Sequence, residues 1–357
     1  MNMDELKQVI NNFSFDRCKQ GNQGFNRILI QLFGMLGHGK SSFINTCMYV
    51  WEDGEYLNWA KADEEYNGHF GGLTLERIPH KLTENIMLVD NRGLAVMDGY
   101  ETGEIFAQLG NLLPLGKEVE WNHEFKLVEK TVQSEKLIKY SDFIVPVFVH
   151  SVKETFTAEK ISDLKKVFHT ARGLTGVYPI VVLTHRTFGN LTSVESTFKD
   201  MGIERIFSFE NYTQEDHFKT RCRHEEVLKF LQEVIKDAQF RVEHQTRDPV
   251  IEMQERKQFV IKYVHEQEKR MTQIKLEKAK ALEQAKKIKE LKRQEEAIKQ
   301  ERERRRQAQE EEMRRTREHF EKQKLAEEIK RSEEIQSHAK PGRRKISDLF
   351  HIRRNNK

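Results

Sequence analysis

The sequence predicts an α/β fold with a mostly parallel central sheet, followed by a long charged α-helix. Three observations predict it. Short apolar runs rich in Ile and Val alternate with amphipathic stretches from Asn26 to about Phe240. A glycine-rich loop joins the first of those runs to a helical pattern. From Val250 to Lys340 there is no glycine or proline, and Ala, Glu, Lys, Arg and Gln dominate.

Residues 1–25 form a polar N-terminal segment without an apolar stretch of the secretory kind. No run in the chain approaches the roughly 18 apolar residues that span a bilayer. Cys18, Cys47 and Cys222 are too few and too scattered for a disulfide framework or a metal knuckle. Free thiols suit a reducing compartment, so a cytoplasmic location is expected. The 357 residues carry a net charge of only +4, with acids and bases interleaved. That balance argues against a nucleic-acid binder, which concentrates Lys and Arg on one face.

The domain predicted over 26–245 begins with "RILIQLFGML", a strand buried on both faces by its composition. It runs into Gly34-Met35-Leu36-Gly37-His38-Gly39-Lys40-Ser41, which satisfies G-x-x-x-x-G-K-[ST]. A helix, "KSSFINTCMYV", runs out and includes Ser42. Glycines let backbone amides close on phosphates at the positive end of that helix. Lys40 is the point charge for the β- and γ-phosphates, and Ser41 is a Mg²⁺ ligand. The next strand, "NIMLVD", ends at Asp90, followed by Asn91, Arg92 and Gly93. Asp90 is expected to hold Mg²⁺ and the Gly93 amide to meet the γ-phosphate. Thr74, in the glycine-rich stretch "NGHFGGLTLERIP", is the candidate switch threonine and third metal ligand. Together these elements predict a P-loop NTPase domain of the GTPase type, with GTP or GDP and Mg²⁺ as cofactors.

The base site should follow the strand "PIVVLTH". GTPases place Asn/Thr-Lys-x-Asp there, whereas this chain reads Thr184-His185-Arg186-Thr187. Thr187 lacks the charge and two-pronged reach of a carboxylate, so guanine preference should fall. The position after Asp-x-x-Gly, commonly the glutamine that orients water, is Leu94. Slow hydrolysis follows. Arg92 and His38 stand near the loop and are candidate contributors to hydrolysis, though solvated side chains are the expectation for both.

Beyond Pro249 the helix expected over 250–340 would measure on the order of 135 Å at about 1.5 Å per residue. Val260, Val264, Met271, Ile274, Ala281, Ala285 and Ile288 make a rough heptad seam that fades after residue 300. Two readings stay open: a weak coiled coil with a protein partner or a second copy, and a single helix held by i,i+4 charge pairs. Pro341-Gly342 should stop it. In the basic tail of 341–357, the segment 343–354 places Ile346, Leu349 and Phe350 among Arg and Lys, a pattern for peripheral contact with an anionic membrane.

"GHGKSSFIN", "DNRGL", "IVVLTH" and "MGIERIFSFENYTQED" together resemble the interferon-induced protein 44 family of GTPase-like proteins. The resemblance covers about residues 26–240, and it implies that Asn211 and Tyr212 lie near the base. It departs from this chain at Thr187, where the family has Asp, and at the long helix, which is more like that of the immunity-associated GTPases. The expected function is a guanine-nucleotide switch with slow GTP hydrolysis, signalling through the helix in an immune or stress response. The rival reading is a coiled-coil scaffold whose P-loop domain is vestigial or prefers ATP.

Overall fold

A computed structural model describes residues 2–61, 76–95, 97, 99–116, 126–133, 141–244 and 248–337. Thr74 and the tail of 341–357, with its 343–354 segment, lie outside the described residues. The chain divides into two units, Met1–Gln273 and Ile274–Lys357.

Among the described residues, the first unit is an α/β assembly around six strands. In chain order they are β1 (Arg27–Phe33), β2 (Ile78–Thr83), β3 (Ile86–Asp90), β4 (Asp142–Ser151), β5 (Ile180–Thr184) and β6 (Ile206–Ser208). Their order across the sheet is β2-β3-β1-β4-β5-β6. Among the described strands only the β2–β3 pair is antiparallel, with Ile78 opposite Asp90. β1 is central, pairing in parallel with β3 on one side and β4 on the other. β4 pairs with β5 and β5 with β6, both in parallel.

The helices are α1 (Met3–Asn11), α2 (Lys40–Glu52), α3 (Gly99–Leu109), α4 (Lys126–Gln133), α5 (Ala158–Thr175), α6 (Leu191–Asp200), α7 (Arg221–Glu243) and α8 (Pro249–Ser337). Their ends follow local chemistry. Asn2 and Glu5 form a reciprocal cap on α1, Thr157 and Asn190 cap α5 and α6, and Gly176 closes α5 in the left-handed region.

Alternate strand residues feed two cores, which is why the strands read as unbroken apolar runs. Ile28, Ile30 and Leu32 of β1 join Phe43, Leu228 and Ile235 on one side. Phe33, Phe148, Val181 and Leu183 join Phe106, Phe168 and Phe198 on the other. Two expectations shift here. Leu6 and Ile10 of α1 are buried in the first core, so residues 1–25 belong to the folded unit. Val260 and Val264, placed in a partner-facing seam by their spacing, are buried in the second core, where Tyr263 meets Phe106 at 5.0 Å between ring centroids.

The second unit is described over 274–337, all helical, and its apolar side chains from Leu276 to Ile335 are exposed. Charge pairs such as Arg305–Glu301, Arg315–Glu311 and Lys287–Glu283 line it at i,i+4 spacing. No helix among the described residues is long and apolar enough to cross a membrane.

Candidate functional site

Parallel pairing puts the carboxyl ends of β1, β3, β4 and β5 at one edge of the sheet. Successive connections leave β1 in opposite directions, and ligands of open α/β sheets bind at such a switch point. The loop Gly34–Gly39 lies there, between β1 and α2.

Gly39 is the N-terminal cap of α2 with φ of 82°, a left-handed conformation that glycine adopts freely. A Cβ on it would lie 3.3 Å from both Thr184 Oγ1 and Asn211 Nδ2. Gly37 also has positive φ, 73°, and is the exposed tip of the loop. The Gly34 carbonyl accepts from Lys40 Nζ at 3.4 Å, and the Met35 carbonyl does so at 3.0 Å. Lys40 is 7% exposed. Burial pulls its ammonium down to about 8, and the Asp90 carboxylate opposes the shift.

Ser41, at the first turn of α2, donates its hydroxyl to Asp90 Oδ2 at 2.8 Å. Asp90 is buried at the end of β3. Ser42 is half-buried, and its carbonyl accepts from the Thr46 hydroxyl. The segment after Asp90 is stitched to the glycine loop. Leu94 N donates to Gly34 O at 3.0 Å and Leu36 N donates to Leu94 O at 2.9 Å, forming a short parallel bridge. A Cβ on Gly93 would come within 2.8 Å of Lys40 Nζ and 2.6 Å of Leu36 Cδ2, so a side chain there would push the ends of both away.

His38 and Arg92 are buried, not solvated. The Ser151 amide donates to His38 Nδ1 at 3.3 Å, and His38 Nε2 faces Glu154 Oε2 at 2.6 Å. Burial, with His150 beside it, pulls His38 down to about 3, against the pull of Glu154. Burial likewise pulls His150 to about 4. The ligand atoms of His38, His150 and Glu154 lie within 4.8 Å of one another, a spacing a metal ion could use. The hydrogen bonds speak against it. With Nδ1 accepting from an amide, the neutral imidazole carries its proton on Nε2, which is then a donor to Glu154 and not a ligand.

At the far side of the loop, the Thr184 hydroxyl donates to the His38 carbonyl at 2.8 Å. The Asn211 amide donates to the Gly39 carbonyl at 3.4 Å. His185, with φ of 56°, sets its Nδ1 3.0 Å from Ser151 Oγ. Tyr212 is fully buried; its amide donates to Thr46 on α2. The structure therefore brings Gly34, Gly37, His38, Gly39, Lys40, Ser41, Ser42, Asp90, Gly93, Thr184, His185 and Asn211 to one edge of the sheet.

Two features were missed by sequence reasoning. Arg77 is fully buried and donates to Asn91 Oδ1, the Gln108 carbonyl and the Leu113 carbonyl. Asn91 in turn donates to Gln31 and the Leu32 carbonyl, fixing the chain just past Asp90. No sequence signal separates Arg77 from an exposed strand arginine. The second is Glu210, whose Oε2 accepts from Thr187 N at 3.0 Å and Thr187 Oγ1 at 2.7 Å. The missing acid at 187 signals that another group must serve, but the sequence does not say which, since Glu210 lies just past β6.

No family model matches the chain, and no curated protein matches it significantly.

Proposed function

We propose that the chain is a P-loop protein of the GTPase type, a guanine-nucleotide-binding switch that uses Mg²⁺, hydrolyses GTP slowly and signals through its long helix. One observation carries the reading. A buried Lys40 ammonium, a Ser41–Asp90 hydroxyl–carboxylate pair and a Gly93 backbone packed against the Lys40 ammonium converge on a glycine loop at the amino end of α2. The strand order, with β1 central and β2 antiparallel, supports it.

The residues present fit both groups. Ser41 and Asp90 offer hard oxygen donors 2.8 Å apart, which suits Mg²⁺ better than a softer metal. They would hold the ion, whose charge would offset that of the phosphate oxygens. A buried lysine shifted downward gains most from an anion, and a phosphate would return it to the fully charged form. Leu94 supports slow hydrolysis. It is buried and fixed in the bridge to the glycine loop, so its side chain neither reaches nor polarises a water.

The test is fluorescence titration with a labelled GTP analogue, with Mg²⁺ and with chelator. Binding is expected to weaken at least about tenfold with chelator and in Ser41→Ala, and to vanish in Lys40→Ala. Equal binding by all three proteins would make the loop decorative and leave the scaffold reading.

A further inference from the structure

We propose that Glu210 supplies the carboxylate that reads guanine, in the place where Thr187 leaves none. The inference rests on the nucleotide site proposed above. Its evidence is separate, and lies at the ends of β5 and β6.

Three contacts build this rim. Thr184 and Asn211 tie the two strand ends to the His38 and Gly39 carbonyls of the glycine loop. Glu210, the residue before Asn211, reaches back to β5, and its Oε2 takes both the amide and the hydroxyl of Thr187. The carboxylate is thereby fixed beside the position where GTPases carry an acid, although it comes from the segment just past β6. Two donors on one oxygen hold the group in place while the other oxygen keeps its acceptor capacity. Competing cations are engaged elsewhere. Arg186 pairs with Glu226 on α7 at 2.7 Å, and Lys153 sits over the Phe188 ring, 4.4 Å from its centroid. Among the described residues no salt bridge joins Glu210 to a cation.

A second observation points to a ligand here. Asn211 is 8% exposed, and its Oδ1 is a buried acceptor with no hydrogen-bond partner. A buried acceptor of that kind costs stability unless something donates to it. A base edge that presents donors serves both residues. Guanine offers N1–H and a 2-amino group, and a carboxylate accepts both. Adenine presents an acceptor at N1 and no 2-amino group, so the same carboxylate disfavours it.

The experiment titrates the full chain with GDP, ADP and xanthosine diphosphate in Mg²⁺. The proteins are wild type, Glu210→Gln, Thr187→Asp and Lys40→Ala. Wild type is expected to favour GDP over ADP. Glu210→Gln should lose GDP affinity by about tenfold to a hundredfold, keep its ADP affinity, and gain for xanthosine diphosphate, whose 2-oxo group accepts from the new amide. The retained ADP affinity shows that the variant is folded. Thr187→Asp should lose GDP affinity, because a second carboxylate then faces Glu210 across hydrogen-bond distance and displaces it. If Glu210→Gln keeps the wild-type ratio of GDP to ADP while Lys40→Ala abolishes binding, the phosphate site stands and Glu210 has no part in reading the base. A gain of GDP affinity in Thr187→Asp likewise returns the role to position 187 and overturns the proposal. If wild type binds none of the three, the nucleotide site and the role of Glu210 both fall.

Discussion

Single residues at this site are governed by close approach and by burial. At Gly93 the nearest neighbours of an added methyl are Lys40 Nζ and Leu36 Cδ2, both under 3.0 Å. Gly93→Ala should therefore displace the lysine, weakening triphosphate binding at least about tenfold with little change in thermal stability. Titration and melting of the same preparation check this, and unchanged affinity would contradict the packing described. The histidines respond to acid. His38 and His150 are drawn down to about 3 and about 4 from an ordinary 6.5, so below that pH the unfolded chain takes up protons before the folded one. Their contribution is complete above about pH 6.5 and is lost as pH falls toward 4, by up to about 1.4 kcal/mol per pH unit for each group. Urea unfolding between pH 7 and 4.5 should show that fall, and His150→Phe, which keeps the stack on Phe156, should make it shallower. An identical slope in the variant would rule out His150. The residues of the glycine loop were legible in the sequence because each has a fixed offset from the next. Arg77 was not, since burying a guanidinium among carbonyls leaves no periodic trace. Glu210 was not either, because its partner is 23 positions away and meets it only through the β5–β6 pairing.

Among the elements, the strands were the most readable. Runs such as "IVVLT" are buried on both faces, and a parallel sheet covered on both faces produces that pattern. The edge strand β2 carried less signal, being half-buried and mixed in composition. Helix α8 was legible in extent but not in its contacts. A heptad pattern says that one face is apolar, not what covers it, and Val260 and Val264 are covered by the chain's own domain. Further along, the described part of the second unit has no buried face at all. Its helicity rests on high intrinsic propensity and on exposed charge pairs, each of which contributes little and is screened by salt. A peptide spanning 274–337 should lose ellipticity at 222 nm between about 0.01 and 1 M NaCl. Helicity that is indifferent to salt, together with concentration dependence, would instead indicate self-association along Leu282, Ile288 and their neighbours.

At the scale of the whole molecule, the sheet order makes the site. Placing β1 between β3 and β4 aligns the glycine loop with Asp90 on one side and with Ser151 and Thr184 on the other. The groups proposed to meet phosphate and base then lie on two flanks of one loop, bridged by the contacts that Thr184 and Asn211 make to it. That arrangement was only partly foreseeable. The order of motifs along the chain suggested it, while the strand pairing that brings Glu210 to Thr187 became visible only in three dimensions. The central claim is that this edge of the sheet binds guanine nucleotide with Mg²⁺. Calorimetric titration of the full chain with GDP and Mg²⁺, with Lys40→Ala measured in parallel, tests it most directly. One saturable site in the wild type, absent in Lys40→Ala, is the predicted result. No heat of binding in the wild type, or the same isotherm in both proteins, would contradict it.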